Sequence, residues 1–297
     1  MPAEDWFAVR ELEPGIHLLC EPPHVNSYLI AGTEQAVLFD TGMGISDIRT
    51  VVCGLTDLPI RVVNSHHHFD HIGGNQLFSG GAIHEAGAEL VQQEIPAEWL
   101  EMYMDYVEGM LAHVPAFEKL DRTYFRLLTG DTTPRPLPPE FNPREWRIVP
   151  TAPTQVLRDG DELDIGGRKL HVMHTPGHTV DGICLLDDAS GALFGGDTIM
   201  AGPIYTHLPT GDVADLARSA RRLATDLRGE VKTIYCQHML RYSVDQAFLQ
   251  EVADGAEAVL EGTAKPVRGI DILGQDVTEY WFNRFSITTT WDASLAS

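Results

Sequence analysis

Short hydrophobic runs separated by tight turns open the chain and predict β-strands. Residues 16–20, 27–31 and 36–39 are apolar runs of strand length, with glycine or proline between them. Apolar positions then recur at helical spacing from Ile48 to Leu55, behind Ser46 as the expected N-cap. A further apolar strand is predicted over residues 61–64, and it leads directly into His66.

Strand and helix patterns alternate again in the second half of the chain. Strands are predicted within residues 155–172, with turns at 158–161 and 166–167. Further strands are predicted over 183–186, 192–194 and 233–236. Helices are predicted over 213–227, with Asp212 as N-cap, and over 244–260. Two strand-rich halves, each followed by helices, indicate two sheets packed face to face with helices outside.

Residues 85–153 interrupt this alternation and form a predicted insert within one domain that spans residues 1–297. Its first part is helical in composition, with Pro96 and Pro115 as expected breaks, and residues 131–153 form a proline-rich loop. Two interpretations are open. The insert packs onto the sandwich or onto a partner subunit as a helical hairpin, or it is a lid over an apolar substrate pocket, which Tyr103 and Tyr106 would contact. Near the C-terminus, the aromatic residues Trp281 and Phe285 fit either an extra strand or an assembly surface.

Charge and composition narrow the class of partner. The chain has 21 basic and 43 acidic residues, a net charge of −22, which disfavours nucleic acid and anionic membranes. The four cysteines are scattered and form no C-x-x-C pair, the N-terminus lacks the pattern of a signal peptide, and no apolar run reaches membrane-spanning length. We therefore expect a cytoplasmic protein that acts on a small molecule. A homodimer is compatible with the pattern.

The segment from His66 to His71 carries the chemistry. It contains H-x-H-x-D-H, so His66, His68, Asp70 and His71 lie within six residues at the end of an apolar strand. Extended spacing places His66 and His68 on the same face and turns His67 away, so we interpret His67 as structural. Imidazole and carboxylate groups are ligands for zinc, manganese or iron. The cluster therefore predicts a metal site.

Three further candidate ligands follow strands elsewhere in the chain. His178 ends the motif T-P-G-H, Asp197 ends G-G-D, and His238 follows the run over 233–236. Because each residue lies at the end of a hydrophobic strand, all three can converge on one edge of a sheet. A purely structural metal site is disfavoured, since such sites are usually closed, tetrahedral and rich in cysteine.

In motif order and spacing the sequence resembles the metallo-β-lactamase superfamily, over roughly residues 14–84 and 155–242. The resemblance implies a four-layer αββα sandwich and two divalent metal ions, zinc or alternatively manganese or iron. It also implies a division of ligands. His66, His68 and His178 would bind the first ion, Asp70, His71 and His238 the second, and Asp197 both.

The resemblance implies a hydrolase in which metal-bound hydroxide attacks a carbonyl carbon and Asp70 acts as the catalytic proton carrier. A lactone, carboxylic ester or thioester is the expected substrate, and β-lactam hydrolysis is expected only as a minor activity. True β-lactamases lack the bridging aspartate. A persulfide dioxygenase with a single iron is the alternative reaction class. The loop after Asp197 is a candidate substrate contact through Met200, Tyr205 and His207.

Overall fold

A computed structural model of the chain describes residues 6–22, 24–128, 133–238 and 242–292. Its first sheet has seven strands that lie side by side in chain order. Strands β3 and β4 are antiparallel, whereas β4 to β7 run parallel. The strands are β1 Ala8–Glu13, β2 Ile16–Glu21, β3 Val25–Ala31, β4 Ala36–Phe39, β5 Ile60–Val63, β6 Ala82–His84 and β7 Gln155–Leu157.

The second sheet has six strands in the order β14-β13-β11-β10-β9-β8, and its β11–β13 pair is parallel. The two sheets face each other through aromatic contacts such as that between Tyr28 and Phe194, whose ring centroids are 5.2 Å apart. The strands of the second sheet are β8 Glu162–Asp164, β9 Lys169–His174, β10 Ile183–Asp187, β11 Ala192–Phe194, β13 Thr233–Tyr235 and β14 Ser243–Val244.

Helices cover the outer face of each sheet. Leu29 of β3 and Leu38 of β4 share a buried cluster with residues of the helices on one side, and Leu193 of β11 does so on the other. Layers therefore follow the order helix, sheet, sheet, helix, which confirms the predicted αββα sandwich. The helices are α1 Ile48–Leu55, α2 Phe69–Ile72 and α3 Ala97–Leu120 beside the first sheet, and α4 Val213–Asp226 and α5 Ala247–Leu260 beside the second.

Helix boundaries differ from the sequence prediction at three places. Asp47, not Ser46, caps α1, because its carboxylate accepts the Thr50 N–H at 3.0 Å. Helix α5 begins at Ala247, since β14 uses Ser243 and Val244 first. Helix α3 continues through Pro115, although an interior proline removes one backbone hydrogen bond.

The prediction that Pro115 ends a helix is therefore wrong. Residues on both sides of this proline, Val114 and Phe117, line the same cavity, so one continuous helix face serves that cavity. Asp212 caps α4 as predicted, and its side chain accepts the Asp215 N–H at 2.8 Å. Residues 129–132 of the predicted insert lie outside the described ranges. Within those ranges, no helix combines the length and the apolar character needed to cross a bilayer.

A third sheet was not predicted. It has four strands in the order β12-β17-β16-β15, and it joins the loop after Asp197 to the C-terminal region. The C-terminal aromatic region forms strands, as one of its two interpretations predicted. Phe285 and Ile287 are buried against α4 and α5, whereas Trp281 is exposed. The strands are β12 Pro203–Tyr205, β15 Pro266–Ile270, β16 Asp276–Trp281 and β17 Ser286–Thr290.

Candidate metal centre

The ends of several strands bring the predicted ligands to one edge of the sandwich. His66 and His68 follow β5, and the single turn of α2 then carries Asp70 and His71. The sequence prediction ended the strand at residue 64 and assumed extended spacing from His66 to His68. In the structure β5 ends at Val63, and both histidines lie in the loop beyond it. The remaining three candidates follow strands of the second sheet: His178 after β9, Asp197 after β11 and His238 after β13.

The side chains form three groups whose ligand atoms lie within 4.8 Å of one another. Two groups match the expected division, and the third, His66, His71 and Asp197, takes one histidine from each of them. His66, His68 and His178 offer one ligand atom each, all within 4.8 Å of one another. Asp70, His71 and His238 form a second group by the same criterion.

Asp197 lies between the two groups. Its Oδ2 is 3.5 Å from the Nε2 of His178 in the first group, and 3.5 Å and 3.1 Å from the Nε2 atoms of His71 and His238 in the second. One carboxylate oxygen thus lies beside imidazoles of both groups. This is the position that a carboxylate shared by two cations would occupy.

Hydrogen bonds on the outer side of the cluster fix which ring nitrogen faces inward. The Nδ1–H of His178 donates to the carbonyl oxygen of Tyr205 at 2.8 Å, and that of His238 donates to the carbonyl of His24 at 2.7 Å. Since a carbonyl oxygen only accepts, Nδ1 carries the proton in each neutral ring, and Nε2 is then the free ligand atom. Such outer hydrogen bonds fix ring orientation and increase the basicity of a metal ligand.

Asp40 and Ser65 hold two other histidines in the same way. The Asp40 carboxylate accepts from His71 Nδ1 at 2.9 Å, and from the backbone N–H and hydroxyl of Ser65 at 2.7 and 2.8 Å. The Ser65 oxygen can then accept from His66 Nδ1 at 2.9 Å. Asp40 has φ 66°, in the left-handed region where non-glycine residues are uncommon. The sequence reasoning missed Asp40, although it follows β4 directly, much as Asp197 follows β11.

His67 and His68 point to different neighbours. His68 uses Nδ1 toward the cluster, at 3.0 Å from Nε2 of His178. His67 places its Nδ1 2.8 Å from the buried carboxylate of Asp181. The interpretation of His67 as structural agrees with this contact.

Burial and neighbouring charges shift the pKa values of the histidines in opposite directions. Burial lowers the pKa of His66 and His68 well below the usual value, and the neighbouring imidazoles add to that effect. Burial also acts to lower the pKa of His71, but the carboxylates of Asp197, Asp70 and Asp40 raise it well above the usual value. Burial would raise the pKa of Asp197, yet His238 and His71 hold it well below its usual range. The ionised carboxylate and the neutral imidazoles are the forms that bind metal ions.

Two atoms of the cluster support a fit to cations. Among the described residues, His66 Nε2 and Asp197 Oδ1 are buried and have no hydrogen-bond partner. Buried polar atoms without partners are rare in native proteins, and a bound ion satisfies such atoms. The cluster contains five imidazoles, two carboxylates and no thiolate, which suits zinc, manganese or iron.

A cavity of about 360 Å³ opens beside the cluster. Four predicted substrate contacts line it, namely Tyr103, Tyr106, Met200 and Tyr205. The fifth, His207, does not line it, because its Nε2 is 2.9 Å from the Asp271 carboxylate and both side chains are buried. Sequence reasoning missed other residues of the wall, which no motif marks: His24, Phe69, His113, Val114, Phe117, Leu128, Pro134, Pro203, Leu208 and Ile272.

Two similar proteins of known name are both thioester hydrolases. Acyl-coenzyme A thioesterase MBLAC2 of Homo sapiens is 29% identical over 266 residues, which cover 84% of this chain and 86% of that protein. The hydroxyacylglutathione hydrolase of Hahella chejuensis is 34% identical over 135 residues, which cover 42% of this chain and 51% of that enzyme.

The fold comparison agrees with these relatives. A metallo-beta-lactamase family protein from Thermus thermophilus superposes with a TM-score of 0.56 at 24% identity, covering 85% of this chain and 82% of that one. ETHE1 from Myxococcus xanthus superposes with a TM-score of 0.52 at 20% identity, covering 81% and 84%. The profile of the metallo-beta-lactamase superfamily matches residues 20–238. The chain therefore belongs to the metallo-β-lactamase superfamily and is a metal-dependent hydrolase.

Proposed function

We propose that the chain uses a pair of metal ions to hydrolyse an ester-type bond, in a thioester, carboxylic ester or lactone, whose acyl group is apolar. The observation that carries this proposal is the apolar cavity that opens directly onto the candidate metal centre. Two relatives, an acyl-coenzyme A thioesterase and a hydroxyacylglutathione hydrolase, support the choice of bond.

His66, His68 and His178 would hold the first ion, and Asp70, His71 and His238 the second, with Asp197 shared between them. Zinc suits this donor set, and manganese and iron remain alternatives. When bound, such ions lower the pKa of a coordinated water to about 7 and polarise the carbonyl oxygen under attack.

Asp70 is the residue of the cluster best placed to move a proton. It lines the cavity, whereas His66 and His71 are buried beneath it and are not among the lining residues. Its Oδ2 is 3.4 Å from Nε2 of His238, so Asp70 belongs to the second group and also borders the space that a substrate would fill. In this position the carboxylate can hold a proton taken from water and return it to the leaving group.

The cavity suits a long acyl chain. Tyr103, Tyr106, Met110, Val114 and Phe117 lie on one face of α3, and all of them line the cavity. From Tyr103 to Phe117 that face extends about 20 Å. The hydrocarbon core of a bilayer is about 30 Å thick, so one fatty acyl chain spans about 15 Å there, and the length of the wall is comparable to that of such a chain.

The described part of the wall has no group that would recognise a strongly anionic acyl portion. Of the described residues that line the cavity, none is lysine or arginine. The polar side chains there belong to the candidate metal centre, to three tyrosines, and to His24 and His113. A neutral acyl group is therefore the part of the substrate that the cavity accommodates.

The test is a substrate panel on protein of defined metal content. We expect hydrolysis of p-nitrophenyl esters and acyl thioesters, with kcat/KM rising from acetyl to longer acyl chains, and two metal ions per chain by elemental analysis. Lactones and a β-lactam complete the panel, and removal of the ions with a chelator should abolish turnover. One iron per chain with oxygen uptake, or no turnover of any ester by the two-metal protein, would overturn the proposal.

A further inference from the structure

The hairpin between β15 and β16 ends in a tip that one aspartate organises. Asp271 Oδ1 accepts the backbone N–H of Leu273 at 2.9 Å and that of Gln275 at 2.8 Å. The backbone N–H of Asp271 donates in turn to the carbonyl of Gln275 at 3.0 Å. These bonds tie the two sides of the tip together, so its conformation is determined within the hairpin itself.

The other oxygen of the same carboxylate anchors the tip to the active-site loop. Asp271 Oδ2 is 2.9 Å from His207 Nε2, and the two side chains are 1% and 5% exposed, so water competes little for the contact. His207 lies two residues after Tyr205, whose carbonyl oxygen accepts from His178 of the metal centre. The hairpin is thus fixed to the segment that orients a candidate ligand.

Ile272, at the tip, reaches the substrate cavity. It lines the cavity together with Leu208 of the anchored loop and with Tyr106 and Met110 of α3. It is also partly buried against the core cluster that contains Tyr103. The tip therefore extends from the third sheet to the helical insert. Ile272 lies between the anchored loop and α3 in the cavity wall.

We infer that Ile272 is a specificity-determining residue that limits the acyl groups accepted by the cavity, and that His207 and Asp271 are the positioning residues that hold it there. The inference rests on the proposed function. A branched aliphatic side chain at a cavity wall admits or excludes methylene groups by volume, and each methylene in an apolar pocket changes discrimination by about 10-fold or more. Ile272 lies outside residues 20–238, which match the superfamily profile, so the shared motifs do not account for this wall.

The experiment compares acyl chain-length profiles of the metal-loaded full chain. With p-nitrophenyl esters from acetyl to palmitoyl, Ile272→Trp should lower kcat/KM for the longest chains about 10-fold or more, chiefly through KM, because the indole fills part of the cavity. The acetyl ester should keep its kcat within about twofold, since the metal centre is untouched. Ile272→Ala should shift the preference toward bulkier acyl groups. Ile270→Ala, at the exposed end of β15 and outside the cavity wall, is the matched control and should leave the profile unchanged.

A second pair of variants tests the anchor. Asp271→Ala removes the contacts to His207 and to the tip backbone, so the chain-length profile should flatten while metal content stays at the wild-type value. Asp271→Asn retains an acceptor for the tip and a side chain that can hydrogen bond to His207, so it should restore the profile. A merely structural role for Asp271 would lower activity toward all esters equally.

The outcomes separate the two proposals. If the two-metal wild type hydrolyses no ester or thioester of any chain length, the proposed function is wrong. If it does hydrolyse them, but Ile272→Trp and Ile272→Ala both leave the chain-length profile as in wild type or lower it equally for acetyl and palmitoyl esters, the inference about Ile272 is wrong.

Discussion

His71 Nδ1 lies 2.9 Å from Asp40 Oδ2, and both side chains are fully buried. This carboxylate determines that Nε2 of His71 faces the metal centre, and it also holds Ser65 beside His66. One residue outside the candidate ligand set thus supports histidines of both groups. Outer partners of this kind typically change metal affinity by about 10- to 100-fold.

Replacing Asp40 with asparagine should weaken metal binding without unfolding the chain. Asparagine tolerates the positive φ of this position and can still accept from the Ser65 N–H, but its amide nitrogen cannot accept from His71. We expect metal affinity to fall about 10- to 100-fold. Competition with a chromophoric chelator measures it. The exposed Asp57→Asn is the control, and an unchanged affinity in Asp40→Asn would contradict the role of the carboxylate.

Asp70→Asn should lower turnover by more than any accompanying loss of metal explains. The amide keeps the size of the side chain and one oxygen, but it cannot take up a proton as a carboxylate does. We expect kcat on the best ester to fall at least about 100-fold, the lower range for loss of an acid–base group. Metal content is measured on the same sample. Near-wild-type turnover in a variant with both ions bound would show that Asp70 is not the proton carrier.

Val114→Trp should shorten the cavity along α3. Val114 lines the cavity beyond Tyr106 and Met110, so an indole there occupies the far part of the acyl wall. Activity toward palmitoyl esters should fall about 10-fold or more while that toward acetyl esters persists. Ala112→Trp, an exposed position on another face of the helix, is the control. Equal losses for both esters would argue against an acyl site on this helix face.

Glu21 should make stability depend on pH. Burial raises the pKa of its carboxyl to about 7, although hydrogen bonds from Trp6 and the Met43 N–H act to lower it. In the unfolded chain the group ionises near pH 4.5, while in the folded chain it keeps its proton up to about pH 7. The stability that this carboxyl contributes is therefore greatest below pH 4.5 and is lost as the pH rises to about 7. The free energy of unfolding changes by about 3 kcal/mol over this range.

Comparison of the wild type with Glu21→Gln isolates this contribution. Urea unfolding of both metal-free proteins between about pH 4 and 8 gives the difference in their free energies of unfolding. Over the interval from pH 4.5 to about 7, the wild type should lose about 3 kcal/mol relative to the variant, which has no ionisable group at this position. Parallel pH profiles for the two proteins would show that the carboxyl ionises normally in the folded state.

The sequence motifs predicted the metal centre better than its surroundings. His178 and Asp197 follow strands of one sheet that run in the same direction, so they reach the same edge. His66 follows a strand of the other sheet and meets them because the two sheets pack face to face. His24 contributes a carbonyl oxygen to His238 and lines the cavity, yet nothing near it in the sequence marks that role. Contacts made through a backbone atom leave no requirement on residue type, and only tertiary packing reveals them.

Fold elements were predicted where hydrophobic periodicity was strong. Strand β4 and helix α4 have clear apolar faces and lie where the pattern placed them. Strand β1 was missed because its sequence AVRELE is largely polar and exposed, and β12 because it is only three residues long. The third sheet depends on pairing between β12 and β17, which are distant in the chain, and local patterns carry no information about such pairing.

That pairing joins two parts of the chain that carry different groups. The candidate ligands all lie before residue 239, whereas the hairpin whose tip carries Ile272 comes afterwards. Substitutions in this C-terminal part can alter which molecules fit without touching the groups that break the bond. Substitutions at the hairpin tip would change substrate preference while the metal-binding residues stayed the same.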